Sequence, residues 1–167
     1  MSRPHETEAA ETGGASRSSE QRRAADALRA VRRVEERASK LEASHGIKLR
    51  KSYRSYAERI GPSILTNGLG QTLASEWAAG GEAVEAPKPP DQAAHYYLFH
   101  HLASWLCRPG GVYRSTSQGR DLLDQVVAHG EADYLRAQGE ALAWIVWHKK
   151  FCRALLPRDE TPVSGAV

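Results

Sequence analysis

No stretch of this chain alternates apolar and polar residues at period two; the apolar residues recur at steps of three and four, between breaks made of Gly and Pro. A chain patterned this way has only helix faces to bury, so it must pack helix on helix. Ala24, Ala27, Val31, Val34, Ala38, Leu41 and His45 share one face and predict a helix from Gln21 to about His45, with Gly46 as its stop. That face is thin, which predicts a helix leaning on the core rather than forming its centre. A second helix is expected from Leu49 to Ile60, closed by Gly61-Pro62. Pro suits the first turn of a helix and not its interior, so Pro62 is expected to open a third helix through Ile64, Leu65, Leu69, Leu73 and Trp77.

Inside that third helix, Asn67-Gly68-Leu69-Gly70-Gln71 places two glycines mid-helix, each costing about 0.8–1.0 kcal/mol relative to Ala. Close backbone approach by another helix or by a phosphate would justify them. Residues 80–90 read as a linker by their Gly and Pro content. Asp91 can cap an apolar helix from Gln92 to about Cys107, carrying Tyr96, Tyr97, Phe99, Leu102, Trp105 and Leu106 and ended by Pro109-Gly110-Gly111. Ser117 can cap Gly119–His129, with Leu122, Leu123, Val126 and Val127 inward. A last helix from Glu131 to about Leu156 offers Leu135, Leu142, Ile145, Trp147, Phe151 and Leu155 to the interior. The reading is all-α, a compact bundle of about six helices over residues 20–157, with disordered tails at 1–19 and 158–167.

Charge is more informative by position than in total. The net +3 hides a segment, residues 17–59, with thirteen Lys or Arg against six Asp or Glu. Arg22, Arg29, Arg33, Arg37, Lys40 and Lys51 in that segment are candidate phosphate contacts, because guanidinium forks match phosphate oxygens and neutralised charge releases counterions. Tyr53 and Tyr56 lie among them, and rings beside cations suit single strands. Interleaved Glu35, Glu36 and Glu42 offer the plainer account, a solvated helix face with local ion pairs.

Other constellations point away from chemistry. The glycine pair has no preceding strand and no following Lys-Ser or Lys-Thr, so it is not a nucleotide loop. His95, His100, His101, His129 and His148, with Cys107 and Cys152, show no metal-ligand spacing, and both cysteines read as core. Asp121, Asp124, Glu131, Asp133 and Glu140 lie at helix starts or on polar faces. No triad or nucleophile spacing occurs, so no catalytic role, metal or cofactor is expected. No apolar run approaches the ~18 residues of a membrane span and no secretion signal opens the chain, so a cytoplasmic protein with no membrane partner is expected.

The block Tyr53-x-x-Tyr56-Ala57, then Gly61-Pro62-x-Ile64-Leu65-x-Asn67-Gly68-Leu69-Gly70-Gln71-Thr72-Leu73-Ala74, resembles the signature of the small subunit of the type III-B CRISPR–Cas RNA-silencing assembly, the Cmr complex. Ala141-Leu142-x-Trp144 through Trp147-x-Lys149-Lys150-Phe151 and Ala154-Leu155-Leu156 is similar to the family's closing helix, and the resemblance spans roughly residues 22–156. After Ala74 the family usually places large apolar residues, where this chain has Ser75 and Glu76. The resemblance implies a compact helical subunit without catalytic activity, stacked with copies of itself and beside the backbone and large subunits, along the groove where guide RNA meets target RNA. It implies RNA contacts at Arg54 and Arg59 and at Lys149 and Lys150. The glycine pair itself reads as letting two helices touch, which makes Pro62, Asn67, Gly68, Leu69, Gly70 and Gln71 a candidate helix-packing motif. The alternative reading is a stand-alone interaction module whose basic helix docks an acidic partner.

Overall fold

A computed structural model describes residues 17–83, 87–114 and 119–158. Among the described residues six helices follow one another: α1 Ser19–Ser39, α2 Ala43–Asn67, α3 Leu69–Gly80, α4 Pro90–Leu106, α5 Arg120–Ala128 and α6 Glu131–Leu155. No strand occurs among the described residues, and the all-α bundle expected from the periodicity is the fold. Most of each expected tail lies outside the described residues, as does the cap expected at Ser117.

The helix starts follow local chemistry. Ser18 and Gln21 form a capping box, the Gln21 N–H donating to Ser18 Oγ at 3.2 Å and the Ser18 N–H to Gln21 Oε1 at 2.9 Å. α1 ends at Ser39, earlier than its pattern suggests, and Gly46 falls in the first turn of α2 instead of stopping α1. A Cβ at Gly46 would lie 2.4 Å from the Ala38 carbonyl oxygen, so this glycine serves the close crossing of α1 and α2.

α2 departs most from expectation. It runs unbroken through Pro62 to Asn67, because Ile60, Gly61 and Ile64 are buried on either side of the exposed proline and hold the helix on the core. Tertiary packing overrides the local preference for a break. The break falls at Gly68, where φ is +83° and ψ 163°, a region essentially reserved for Gly. There α6 caps α3: Gln138 Oε1 accepts from the Leu69 N–H at 3.1 Å and Tyr134 Oη from the Gly70 N–H at 3.2 Å. Gly68 and Gly70 thus lie against Tyr134 of α6 and Leu69 is buried, while Pro62, Asn67 and Gln71 face solvent.

The core centres on α2. Its buried residues Gly46, Leu49, Tyr53, Ala57, Ile60 and Ile64 follow each other at steps of three and four and meet α1, α3, α4 and α6. α4 supplies Leu98, Leu102 and Leu106, and α6 supplies Trp144 and Ile145. α1 packs mainly on α6 and also on α2, burying Ala27, Ala30, Val31, Val34 and Ala38. Polar ties fix the pair: Arg23 Nη2 to Glu140 Oε1 at 2.6 Å, Trp144 Nε1 to Asp26 at 2.9 Å and Trp147 Nε1 to Glu20 at 2.6 Å. Val127, Leu135 and Leu155, expected inside, are outside at 85%, 56% and 41% exposed, and Leu65 and Leu41 of the expected apolar patterns are exposed as well. α5 is only nine residues long and buries one edge, Leu122 and Val126, which turns Val127 to water. In α6 the buried stripe is Ala137, Ala141, Trp144, His148 and Cys152, with Trp147 and Phe151 packed half-buried beside it.

Candidate nucleic-acid interface

Six basic residues of α1 and α2 divide between two clefts that share no lining residue. The first lies between α2 and α6, about 470 Å³, lined by Lys51, Arg54, Ser55, Glu58, Arg59, Arg153 and Arg158. Five cations face one carboxylate there. Two of the five carry structural duties. Arg54 Nη1 donates to the carbonyl oxygens of Leu156 at 2.6 Å and Arg153 at 3.3 Å, capping the C-terminus of α6. Arg153 forks onto both oxygens of Glu58 and holds that carboxyl below its ordinary range. Arg59 lies over the Tyr56 ring at 4.7 Å, and Tyr56 in turn stacks on His95 at 3.8 Å.

The second cleft runs between α1 and α4. Two cavities, about 380 and 500 Å³, share Arg37, Lys40, Tyr96 and Tyr97, so together they form an elongated groove. Leu41, Leu49 and Lys88 line one end, and Arg33, Glu36, His100, His101 and Ser104 the other. Lys40 is spent on Glu36 at 2.7 Å, while Arg33 and Arg37 are exposed and form no ion pair among the described residues. Tyr96 and Tyr97 are half-buried, with Tyr96 ringed by Lys88 at 5.1 Å and His100 at 4.2 Å.

Of the residues singled out from sequence, Arg33, Arg37 and Lys40 thus meet in the groove, and Lys51, Arg54 and Arg59 in the α2/α6 cleft. Arg22, Arg29, Lys149 and Lys150 line neither. Arg22 donates to Ser19 and to the Arg17 carbonyl, Arg29 pairs with Asp26 at 3.1 Å, and Lys150 lies over the Trp147 ring at 5.4 Å. Tyr53 is corrected outright: it is fully buried and cannot stack on a strand. Asp91 is not the N-cap of α4, which starts at Pro90; its Oδ1 accepts from Tyr56 Oη at 2.6 Å and Ser52 Oγ at 3.1 Å. Lys88, Tyr96, Tyr97, Arg153 and Arg158 were missed. The available signal was the Tyr96-Tyr97 pair itself, since adjacent residues on a helix cannot both face one core.

Beneath the groove floor, Tyr53 Oη lies 2.7 Å from His101 Nδ1 and 2.8 Å from His148 Nε2, with Cys152 Sγ 3.8 Å from that same nitrogen. Burial pulls both histidines down to about 3 and pushes the Cys152 thiol up, so all three are neutral at physiological pH. A neutral thiol and imidazole among packed aromatics make a structural tie, and no group of three or more His, Cys, Asp or Glu among the described residues is placed to hold a metal ion.

Residues 19–155 match the family described as CRISPR-associated protein (Cas_Cmr5). The chain belongs to that family. A crystal structure of a CRISPR-associated Cmr5 family protein from Thermus thermophilus is similar to it at a TM-score of 0.56 and 26% identity, covering 85% of this chain and 100% of that one. Cmr5 membership makes the chain one of the small subunits of the type III-B Cmr complex, a structural subunit family whose members associate with other Cmr subunits. The matched span agrees with the reach of the two sequence blocks. Among the described residues no helix is long and apolar enough to cross a membrane.

Proposed function

We propose that this Cmr5 subunit works in the cytoplasm as a non-catalytic helical unit over residues 20–157, stacking with copies of itself along the guide and target RNA beside the backbone and large subunits. Its two clefts contribute the positive surface, and the RNA is held by its backbone because guide pairing carries the sequence information. The observation that carries this reading is the α1/α4 groove, where Arg33 and Arg37 stand exposed and form no ion pair among the described residues. An unpaired cation on a helix face gains little within the fold and much from a polyanion. The family match supports a place in the complex over a stand-alone module.

The test is charge reversal. Arg33→Glu with Arg37→Glu weakens RNA binding, leaves the melting temperature unchanged, and lowers the log–log salt slope by about 1.4, at about 0.7 per phosphate on a single strand. Unchanged binding would remove this helix from the RNA path.

A further inference from the structure

The cations of the α1/α4 groove do not stand alone: its floor is aromatic. Tyr96 and Tyr97 follow each other on α4, their rings 5.5 Å apart at centroid and 76° to one another, with His100 one turn on at 4.2 Å from Tyr96. Lys88, just before α4, reaches over the Tyr96 ring at 5.1 Å. Arg33, Arg37 and Lys40 of α1 form the opposite wall. The two contiguous cavities make this a channel along the rings rather than a closed hole. The backbone under the rings is held firmly: a Cβ on Gly80 of α3 would lie 2.6 Å from Tyr96 Cα, so α3 and α4 touch main chain to main chain at that point.

We infer that this groove is a stacking platform for an unpaired stretch of RNA, with bases laid on Tyr96 and Tyr97 and phosphates taken by Arg33, Arg37 and Lys88. The inference rests on the RNA reading given above and adds the state of the strand. Within a duplex each base face is covered by its neighbour, so half-buried rings flanked by cations offer nothing there beyond charge. An unpaired strand offers both the faces and the phosphates. The platform is tolerant of sequence because every base has a face to stack.

The experiment uses the full chain and a labelled twelve-nucleotide oligouridine, with a twelve-base-pair RNA duplex as comparison, read by fluorescence anisotropy at low salt. The single strand binds more tightly than the duplex. Tyr96→Leu and Tyr97→Leu each lower single-strand affinity by about 5- to 150-fold, the range for one stacked base, and leave duplex affinity unchanged. Tyr96→Phe and Tyr97→Phe retain binding, since the ring and not the hydroxyl is used. A second measurement needs no variant: iodouridine-substituted strand, irradiated on the wild-type chain, forms adducts at Tyr96 or Tyr97. Leu variants that bind single strands like wild type, or adducts confined to other residues, overturn the platform. So does a twelve-residue glutamate peptide bound as tightly as the strand and with no dependence on the rings, which would make the groove a site for an acidic protein. A wild-type chain that binds neither RNA form sinks the RNA reading itself, whereas equal binding of both forms with no effect of Leu leaves that reading standing and removes only the stacking.

Discussion

At the scale of single residues, Tyr53 has one hydroxyl between two imidazoles, and the arrangement fixes where the protons sit. A neutral imidazole carries one N–H. His148 Nδ1 is buried without a partner among the described residues, so the His148 proton belongs on Nε2, where it donates to Tyr53. Tyr53 then donates to His101 Nδ1. Both histidines are held at about 3, well below 6.5, because burial penalises their charged forms; the nearby Arg33 guanidinium also lowers His101. The unfolded chain therefore takes up these protons first as pH falls. The stability contributed by the neutral pair is complete above pH 6.5 and is lost progressively toward pH 3, at up to about 1.4 kcal/mol per pH unit for each histidine. Urea midpoints measured between pH 7 and pH 4.5 are expected to fall across that window, and a flat profile would contradict the tie. Tyr53→Phe removes the hydroxyl from His101 Nδ1 and leaves His148 Nε2 only its long contact with Cys152 Sγ, at a cost of about 1–3 kcal/mol. From sequence, Tyr53 sat among cations and read as a stacking ring, because charge neighbours along the chain say nothing of the opposite helix face.

Among the elements, α2 and its joint with α3 hold the clearest tests. Pro62 lies in the interior of α2, exposed, where the ring blocks a main-chain bond. Pro62→Ala is expected to raise stability by about 1–3 kcal/mol, since the missing bond is restored at a site with no packing to lose. Gly68 stands at φ +83°, with Tyr134 Oη 2.7 Å from where a Cβ would be. Gly68→Ala is expected to cost about 1–3 kcal/mol, read by thermal or urea unfolding. Helix number and type were legible because period 3.6 survives in every buried stripe. Two boundaries were not. Gly46 and Pro62 are local stop signals, and in both places packing decided otherwise, the close approach of Ala38 of α1 at Gly46 and the burial of α2's own Ile60, Gly61 and Ile64 around Pro62.

In the whole molecule, the concentration of positive charge in residues 17–59 was legible, but its division between two clefts was not, because that depends on which helix lies opposite. α6 brings Arg153 to Lys51 and Arg59, and α4 brings Tyr96 and Tyr97 to Arg33 and Arg37. Residues on α4 read as core from their apolar character are half outside, since the thin Ala and Val face of α1 sits mainly on α6 and leaves that flank of α4 open. The proposed function requires RNA to lie against those clefts within the assembled complex. Ultraviolet crosslinking of the particle purified from its host, followed by mass spectrometry of the adducts, measures that placing directly. Adducts in the segments Arg33–Lys40 and Lys88–His100, on short guide or target RNA, are the predicted result. A particle without this subunit, or adducts lying only on α3 and α5, would contradict it.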